Sequence, residues 1–316
     1  MKRTMVSRSE IQRRSGLLSG HRIVVTTFAV LCIAPHLTAF EVEAAKRLWC
    51  IDLDLTEERK RSNNADWAAK FAEYAILSNA AYAEKGVNPS MPLPKGWSIA
   101  GAPVKSSKKP RNDWSPTSWF GDNGFSMSVF EKREQETILE VAVAFRGTDQ
   151  KRDWVQNTIP KFQAQAADAE NAFRAVLAKY RSSGSSAPKI TATGHSLGGG
   201  LALHVSFLWP NVDAFVFNSS PRIGVKRSDI KSNRVSIFEA GEALDRIRRL
   251  NKMVRPEWEG IDSRDFHFYD GSEDGLRGAL RALVSQHGIE GFASRLVSFG
   301  KVKSPVLQDY VNNTCR

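Results

Sequence analysis

Ser196 lies in a pentapeptide whose residue types and spacing suit a nucleophile. Residues 194–198 read Gly-His-Ser-Leu-Gly, so a glycine stands two positions before the serine and two positions after it. A serine hydroxyl attacks a carbonyl only when a neighbouring base accepts its proton. Because glycine and serine are common residues, a structural glycine-rich turn is the alternative for the pentapeptide alone.

The residues around the pentapeptide favour a catalytic interpretation. Residues 190–193 form a short β-rich run, and an apolar helix pattern follows the glycines at 198–200. A strand, a sharp turn and a helix make a nucleophile elbow, which exposes a serine above a sheet. Glycines on both sides let strand and helix approach without Cβ clashes. The pattern therefore predicts that Ser196 is the nucleophile of an acyl-transfer reaction.

A base and an acid should follow the serine in the order acid, then histidine. Among the six histidines, His287 precedes a glycine and a helix pattern, so a loop can carry its side chain over the sheet edge. His267 alternates with aromatic residues in a strand-like run and is the alternative. For the acid we expect Glu242, which follows a glycine after the strand-like run at 235–238. Asp245, a turn later, is the alternative acid, and a solvated helix-cap carboxylate is the non-catalytic interpretation of either.

Strand-like and helix-like segments alternate along the chain, which predicts an α/β fold with a mostly parallel sheet and helices on both faces. With the elbow, this is the α/β-hydrolase fold, and we expect one such domain at 41–316. Residues 86–124, rich in Pro, Gly, Ser and Lys, are expected to be irregular. The helix patterns are 65–85, 163–181, 201–208 and 276–298, and the strand patterns are 125–130, 138–145, 189–194, 212–217, 234–238 and 265–269.

Residues 1–40 have the layout of a targeting leader. They carry six basic residues against one acid, then an uncharged apolar run at 23–34 and a proline-containing stretch. This is the order of a secretory signal, and the run is shorter than the roughly 20 residues of a membrane-spanning helix. An uncleaved anchor or an upstream start-site error is the alternative. We expect a signal peptide and a secreted or periplasmic protein.

The cysteines fit the same interpretation. Cys32 lies in the leader, which leaves Cys50 and Cys315 near the two ends of the mature chain. In an oxidising compartment a disulfide between them is expected, with two free buried thiols as the alternative. The spacing of His and Cys indicates no metal site.

Four blocks of the sequence form a pattern together. They are Val-Ala-Phe-Arg-Gly-Thr at 143–148, Asp-Trp at 153–154, Gly-His-Ser-Leu-Gly-Gly at 194–199 and Ser-Pro-Arg-Ile-Gly at 220–224. In this order they resemble the class 3 lipases, the fungal-lipase-like branch of the α/β-hydrolases. The resemblance covers roughly residues 71–296 and implies hydrolysis of lipid esters, as a triacylglycerol lipase or a phospholipase A-type enzyme, through an acyl-enzyme and without a cofactor.

The resemblance also implies roles for individual residues. Thr148 and the N–H of Leu197 would form the oxyanion hole, and residues 149–162, with Trp154, would form the lid. A fixed surface helix is the alternative to a lid. The acid of the family is usually Asp, so Glu242 departs from the pattern. Secreted members whose termini are joined by a disulfide support the pairing of Cys50 with Cys315.

The substrate is less defined by the sequence. Residues 222–255 carry ten basic residues against four acids, which favours a membrane, lipid-droplet or other anionic lipid surface, unless this is only a solvated surface. No nucleic-acid recognition module accompanies the charge. The Glu-for-Asp departure leaves a second hypothesis, a non-catalytic α/β-hydrolase-fold binding or effector-associated protein. A third keeps the enzyme as a secreted toxin-like phospholipase.

Overall fold

The computed structural model describes residues 50, 64–83, 86, 88, 90–101, 103–105, 124–147, 158–181, 187–220, 232–240, 242, 244, 261–266 and 288–315. The helices are α1 (Asn64–Ala80), α2 (Thr158–Arg181), α3 (Leu197–Leu208), α4 (Ile289–Gly300) and α5 (Pro305–Thr314). The strands are β1 (Trp97–Ile99), β2 (Val104–Lys105), β3 (Ser126–Glu134), β4 (Thr137–Phe145), β5 (Lys189–His195), β6 (Asp213–Phe217), β7 (Arg234–Glu239) and β8 (Asp262–Phe266). Within these residues, no helix has the length and apolar character needed to cross a membrane.

The strands pair into one sheet in the order β1-β3-β4-β5-β6-β7-β8, with β2 also paired to β3. β1, β2 and β4 run antiparallel to β3. From β4 to β8 every neighbouring pair is parallel. The expected mostly parallel sheet is confirmed. The carboxyl ends of these parallel strands meet at one edge, where α/β proteins bind their ligands.

The central strands are buried on both faces, and their side chains alternate between two cores. Ala142 and Phe217 point to the core that contains α1 and α4, whereas Val143 and Val216 point to the core that contains α2 and α3. A strand sends successive side chains to opposite faces. The two cores therefore form on opposite sides of one sheet, and the sheet has helices on both faces, as in an α/β-hydrolase.

The last described residues of the chain contact the first described ones. Gly300 of α4 lies so close to α1 that a Cβ there would be 2.7 Å from the backbone nitrogen of Ala69. After α5, Cys315 forms a disulfide with Cys50, across a sequence separation of 265. The expected disulfide is thus formed.

Some elements differ from those expected from the sequence. β1 and β2 lie in the stretch expected to be irregular, and α5 was not expected. Strands of three and two residues are too short to show a period, and pairing with β3 is what forms them. β8 begins three residues earlier than the strand pattern at 265–269, and α4 covers 289–298 of the helix pattern at 276–298 and continues two residues beyond it. Residues 1–40, 267–269 and 276–287 lie outside the described residues.

Candidate active site

The structure has the expected strand, sharp turn and helix around Ser196. Ser196 separates β5 from α3, with φ 56° and ψ −125°, and its residue is 5% exposed. Positive φ is costly for a residue with a side chain and clusters at functional sites. The two flanking glycines permit this turn, because a Cβ on Gly194 would lie 2.5 Å from the carbonyl carbon of Gly198. The two glycines therefore let strand and helix approach each other closely, as predicted from the sequence.

Backbone hydrogen bonds fix the turn against β6. The N–H of Ser196 donates to the carbonyl of Phe217 at 3.1 Å, and its own carbonyl accepts from Ser220 at 2.8 Å and from Gly200 at 3.2 Å. These bonds hold the strained residue in place from both sides. Leu197, the first residue of α3, carries an N–H at the positive end of the helix, where an anion is favoured.

The end of β4 lies directly against the elbow. A Cβ on Gly147 would be 2.7 Å from the carbonyl oxygen of His195 and 3.3 Å from the Cβ of Ser196. The preceding Arg146 is held by backbone atoms, since its N–H donates to Ser126 at 2.9 Å and its guanidinium donates to the Gly124 carbonyl at 3.3 Å. Gly147, the residue before Thr148, therefore lies beside Ser196.

Tyr82, which the sequence analysis did not single out, lies between these two segments. Its hydroxyl is 2.9 Å from Nδ1 of His195 and accepts the N–H of Gly147 at 3.1 Å. The two aromatic rings are also in contact, with centroids 5.9 Å apart. Tyr82 follows α1, and nothing in its local sequence distinguishes it from the other aromatic residues of that helix pattern.

Two buried carboxylates lie at the carboxyl end of β7, Glu239 as its last residue and Glu242 three residues later. Glu242 is fully buried, and its Oε2 accepts the N–H of Leu244 at 2.9 Å. Glu239 is 1% exposed and pairs with Arg295 of α4 at 2.5 Å. Its N–H donates to the side chain of Asn218 at 2.8 Å, which ties the exits of β6 and β7 together. Arg295 and Asn218 were not anticipated from the sequence.

Burial raises the pKa of Glu239, Arg295 lowers it and the nearby charge of Glu242 raises it, so that the pKa lies at about 7. A buried carboxyl resists ionisation because the charged form loses its hydration. Two carboxylates and one guanidinium thus share a buried region at the carboxyl edge of the sheet.

Of the site residues predicted from the sequence, the structure describes Ser196, Leu197 and Glu242. Thr148, Trp154, Asp245, His267 and His287 lie outside the described residues, and their contacts stay predictions. His204, on α3, is buried, and its Nε2 lies 2.8 Å from the carboxylate of Glu170. Among the described residues, no group of His, Cys, Asp and Glu side chains could hold a metal ion.

The sequence model of the Tle-like phospholipase domain, a phospholipase-like family, matches residues 73–251. The chain belongs to this family. The matched segment of the Tle-like domain runs from α1 past the elbow to the region after β7, and so includes Ser196 and Glu242. No curated protein matches the chain.

Solved structures similar to this Tle-like domain include lipases and another hydrolase. Lipase II from Rhizopus niveus is 13% identical, with a TM-score of 0.41, over 60% of this chain and 77% of that chain. A lipase from Rhizopus microsporus var. chinensis is 13% identical, with a TM-score of 0.41, over 65% and 76%. A putative dienelactone hydrolase from Klebsiella pneumoniae is 12% identical, with a TM-score of 0.33, over 64% and 98%. Likeness at this level concerns the fold alone.

Proposed function

We propose that this protein is a serine hydrolase that cleaves carboxylic esters of lipids, as a triacylglycerol lipase or a phospholipase A-type enzyme of class 3 lipase type. The observation that carries the proposal is the strained backbone of Ser196, with φ 56° and ψ −125°, between β5 and α3. Such strain persists only where the surroundings enforce it. Membership of a phospholipase-like family supports the choice of ester chemistry.

In the proposed reaction, the hydroxyl of Ser196 attacks the ester carbonyl while His287 accepts its proton. The leaving alcohol takes that proton, and water then repeats both steps on the acyl-enzyme. The N–H groups of Thr148 and Leu197 hold the oxyanion, and the loss of one such donor costs about 3–4 kcal/mol in comparable enzymes. The position of Leu197 at the start of α3 supports this role.

Glu242 is the proposed acid that orients His287. Its complete burial suits a carboxylate that must bind another side chain rather than water. The ion pair of Glu239 with Arg295 supports the location of the base, because it joins α4 to the exit of β7. Arg295 lies seven residues after Gly288, about 10 Å along a helix, and His287 directly precedes Gly288.

The acid can be tested against its alternative by comparing Glu242→Gln with Asp245→Asn. We expect Glu242→Gln to lower kcat by roughly 10⁴-fold, as the loss of the acid does in a Ser-His-Asp triad, and Asp245→Asn to have little effect. Hydrolysis of a soluble p-nitrophenyl ester gives the measurement. The opposite ranking would transfer the role to Asp245.

The proposed nucleophile can be tested with a fluorophosphonate, which labels an activated serine covalently. Wild type and Ser294→Ala should be labelled, and Ser196→Ala should not. Ser294 is a matched control because it is also buried, and its hydroxyl bonds to the Glu290 carbonyl within α4. An unlabelled wild type, or equal labelling of Ser196→Ala, would contradict the proposal and favour the non-catalytic binding or effector-associated alternative.

The choice between triacylglycerol and phospholipid as substrate depends on whether the basic stretch at 222–255 contacts an anionic lipid surface. One member of the basic stretch at 222–255, Arg234, is 2% exposed and donates to the carbonyl and the hydroxyl of Ser206. It therefore adds nothing to an exposed basic face, and the other nine lie outside the described residues. Rates on triacylglycerol emulsions, zwitterionic vesicles and anionic vesicles rank the substrates directly, with anionic vesicles favoured if the basic stretch contacts lipid.

The disulfide between Cys50 and Cys315 supports a secreted or periplasmic location for a mature domain at 41–316, since such bonds persist in oxidising compartments. We propose residues 1–40 as its signal peptide and residues 149–162, with Trp154, as its lid. N-terminal sequencing of the exported protein tests the first proposal. Loss of activation by a lipid surface in Trp154→Ala tests the second.

A further inference from the structure

Polar contacts repeat along the face that α1 presents to β5. Tyr74, Ser78 and Tyr82 are spaced by four residues, and Thr191, Thr193 and His195 are spaced by two. Four residues advance a helix by about 6 Å, and two residues advance a strand by about 6.6 Å. The two spacings nearly match, so the three polar residues, of which Tyr82 lies just after α1, are at successive positions along β5. Tyr74 and Thr191 share Glu140 of β4, whereas Ser78 meets Thr193 directly and Tyr82 meets His195 directly.

The contacts made by Tyr74 and Ser78 are buried. Tyr74 donates to Glu140 at 2.9 Å, and Thr191 donates to the same carboxylate at 2.5 Å. The hydroxyl of Ser78 lies 2.8 Å from that of Thr193. These contacts fix the helix along the strand by means of buried, hydrogen-bonded groups, which tolerate little displacement.

The third contact is made where the strand ends. The hydroxyl of Tyr82 lies 2.9 Å from Nδ1 of His195, the residue before Ser196. Tyr82 itself is held by the last turn of the helix, since its N–H donates to the Asn79 carbonyl at 3.1 Å. The series of contacts thus places the hydroxyl of Tyr82 beside the elbow.

The same hydroxyl reaches the end of β4. It accepts the N–H of Gly147 at 3.1 Å, and a Cβ on Gly147 would lie 2.3 Å from it. Because the oxygen accepts from Gly147, its own proton can be donated to Nδ1 of His195, which then carries its proton on Nε2. One side chain therefore bridges the segment before Thr148 and the segment before Ser196.

We infer that Tyr82 is a positioning residue for hydrolysis, whose hydroxyl holds the backbone that leads to Thr148 against the elbow. The inference rests on the proposed function, because it assumes that Thr148 and Leu197 bind the oxyanion. Donors must be aimed at the oxyanion before it forms, and a displacement of about 1 Å can cost roughly 100-fold in rate. Loss of the bridge should therefore lower kcat and leave substrate binding nearly unchanged.

The test compares Tyr82→Phe with Tyr310→Phe in the full chain. The control also removes a single tyrosine hydroxyl, which donates to the Pro92 carbonyl at 2.9 Å. We expect Tyr82→Phe to lower kcat on a soluble p-nitrophenyl ester by about 10- to 100-fold, with KM changed less than about threefold, and to slow fluorophosphonate labelling equally. Tyr310→Phe should keep the wild-type kcat. Thermal unfolding of both variants, measured by circular dichroism, checks that they are folded.

A second variant, His195→Phe, tests the bridge independently. Because both residues act through the same hydroxyl, the double variant should lose little more activity than Tyr82→Phe alone. Additive losses, or a kcat for Tyr82→Phe within about threefold of wild type, overturn the inference. An inactive and unlabelled wild type overturns the proposed function and the inference together, whereas an active wild type with an unaffected Tyr82→Phe overturns the inference alone.

Discussion

Adding a single methyl group at Gly198 is predicted to lower both the stability and the kcat of the enzyme. Gly198 is the second residue of α3, two residues after Ser196, and faces the end of β4. A Cβ there would lie 2.1 Å from the carbonyl oxygen of Phe145 and 2.8 Å from the carbonyl carbon of Arg146. Every close atom belongs to the backbone, so no side chain can rotate away.

The magnitude follows from the distance. Ordinary van der Waals contact for a Cβ begins at 3.4 Å, so Gly198→Ala requires the two segments to separate by more than about 1 Å. Overpacking of this kind costs about 1–3 kcal/mol of stability. The same separation moves Leu197 away from the end of β4, and we expect kcat to fall by about 100-fold or more.

The assay is hydrolysis of a soluble p-nitrophenyl ester together with urea unfolding of each variant. Gly291→Ala is the control, because its Cβ would meet only the end of the flexible Arg295 side chain, at 3.3 Å. It should gain about 0.5–1 kcal/mol from helix propensity and keep its activity. A Gly198→Ala variant with a kcat within about threefold of wild type would refute the close contact between elbow and β4.

Three further predictions concern stability. The pKa of Glu239, raised from 4.5 to about 7 by burial, means that the folded state binds more protons than the unfolded state between these values. Stability should therefore fall by up to about 3 kcal/mol as pH rises through this range. Urea unfolding at pH 5 and pH 8 should show this fall in the free energy of unfolding for wild type but not for Glu239→Gln. The same pH dependence in both proteins would contradict the prediction. Replacing Cys50 and Cys315 by serine should lower the unfolding free energy by about 2–4 kcal/mol, below the roughly 5–6 kcal/mol that chain entropy allows for a loop this long, and reduction of wild type should reproduce the change. Ser78→Ala should cost about 1 kcal/mol in the same assay, because Thr193 still donates to the Phe215 carbonyl; a loss above about 3 kcal/mol would show a larger role for the contact.

The elbow was predictable because its determinants are local. The glycines at 194 and 198 are needed where strand and helix nearly touch, and the β-rich run and the apolar helix follow directly from residue type. The parallel sheet was also predictable, since alternating strands and helices have few other ways to bury their apolar faces. Both depend on patterns that a single stretch of chain carries by itself.

The contacts among distant segments were not predictable in the same way. The pairing of Glu239 with Arg295 joins residues 56 positions apart, and the bond from Gly147 to Tyr82 joins residues 65 positions apart. Arg234 counted as part of a basic stretch, yet its strand places it in the interior. Short strands such as β1 form only because β3 offers a partner.

The sequence by itself determined the strand–turn–helix at Ser196, the layered α/β architecture and the candidate disulfide, because glycine spacing, hydrophobic alternation and cysteine count are properties of residue type and order. The tertiary structure alone decided which side chains surround Ser196. Tyr82, just after α1, reaches His195 beside Ser196 because α1, which advances about 6 Å per four residues, packs along β5, which advances about 6.6 Å per two. That match in distance exists only after helix and strand have packed together.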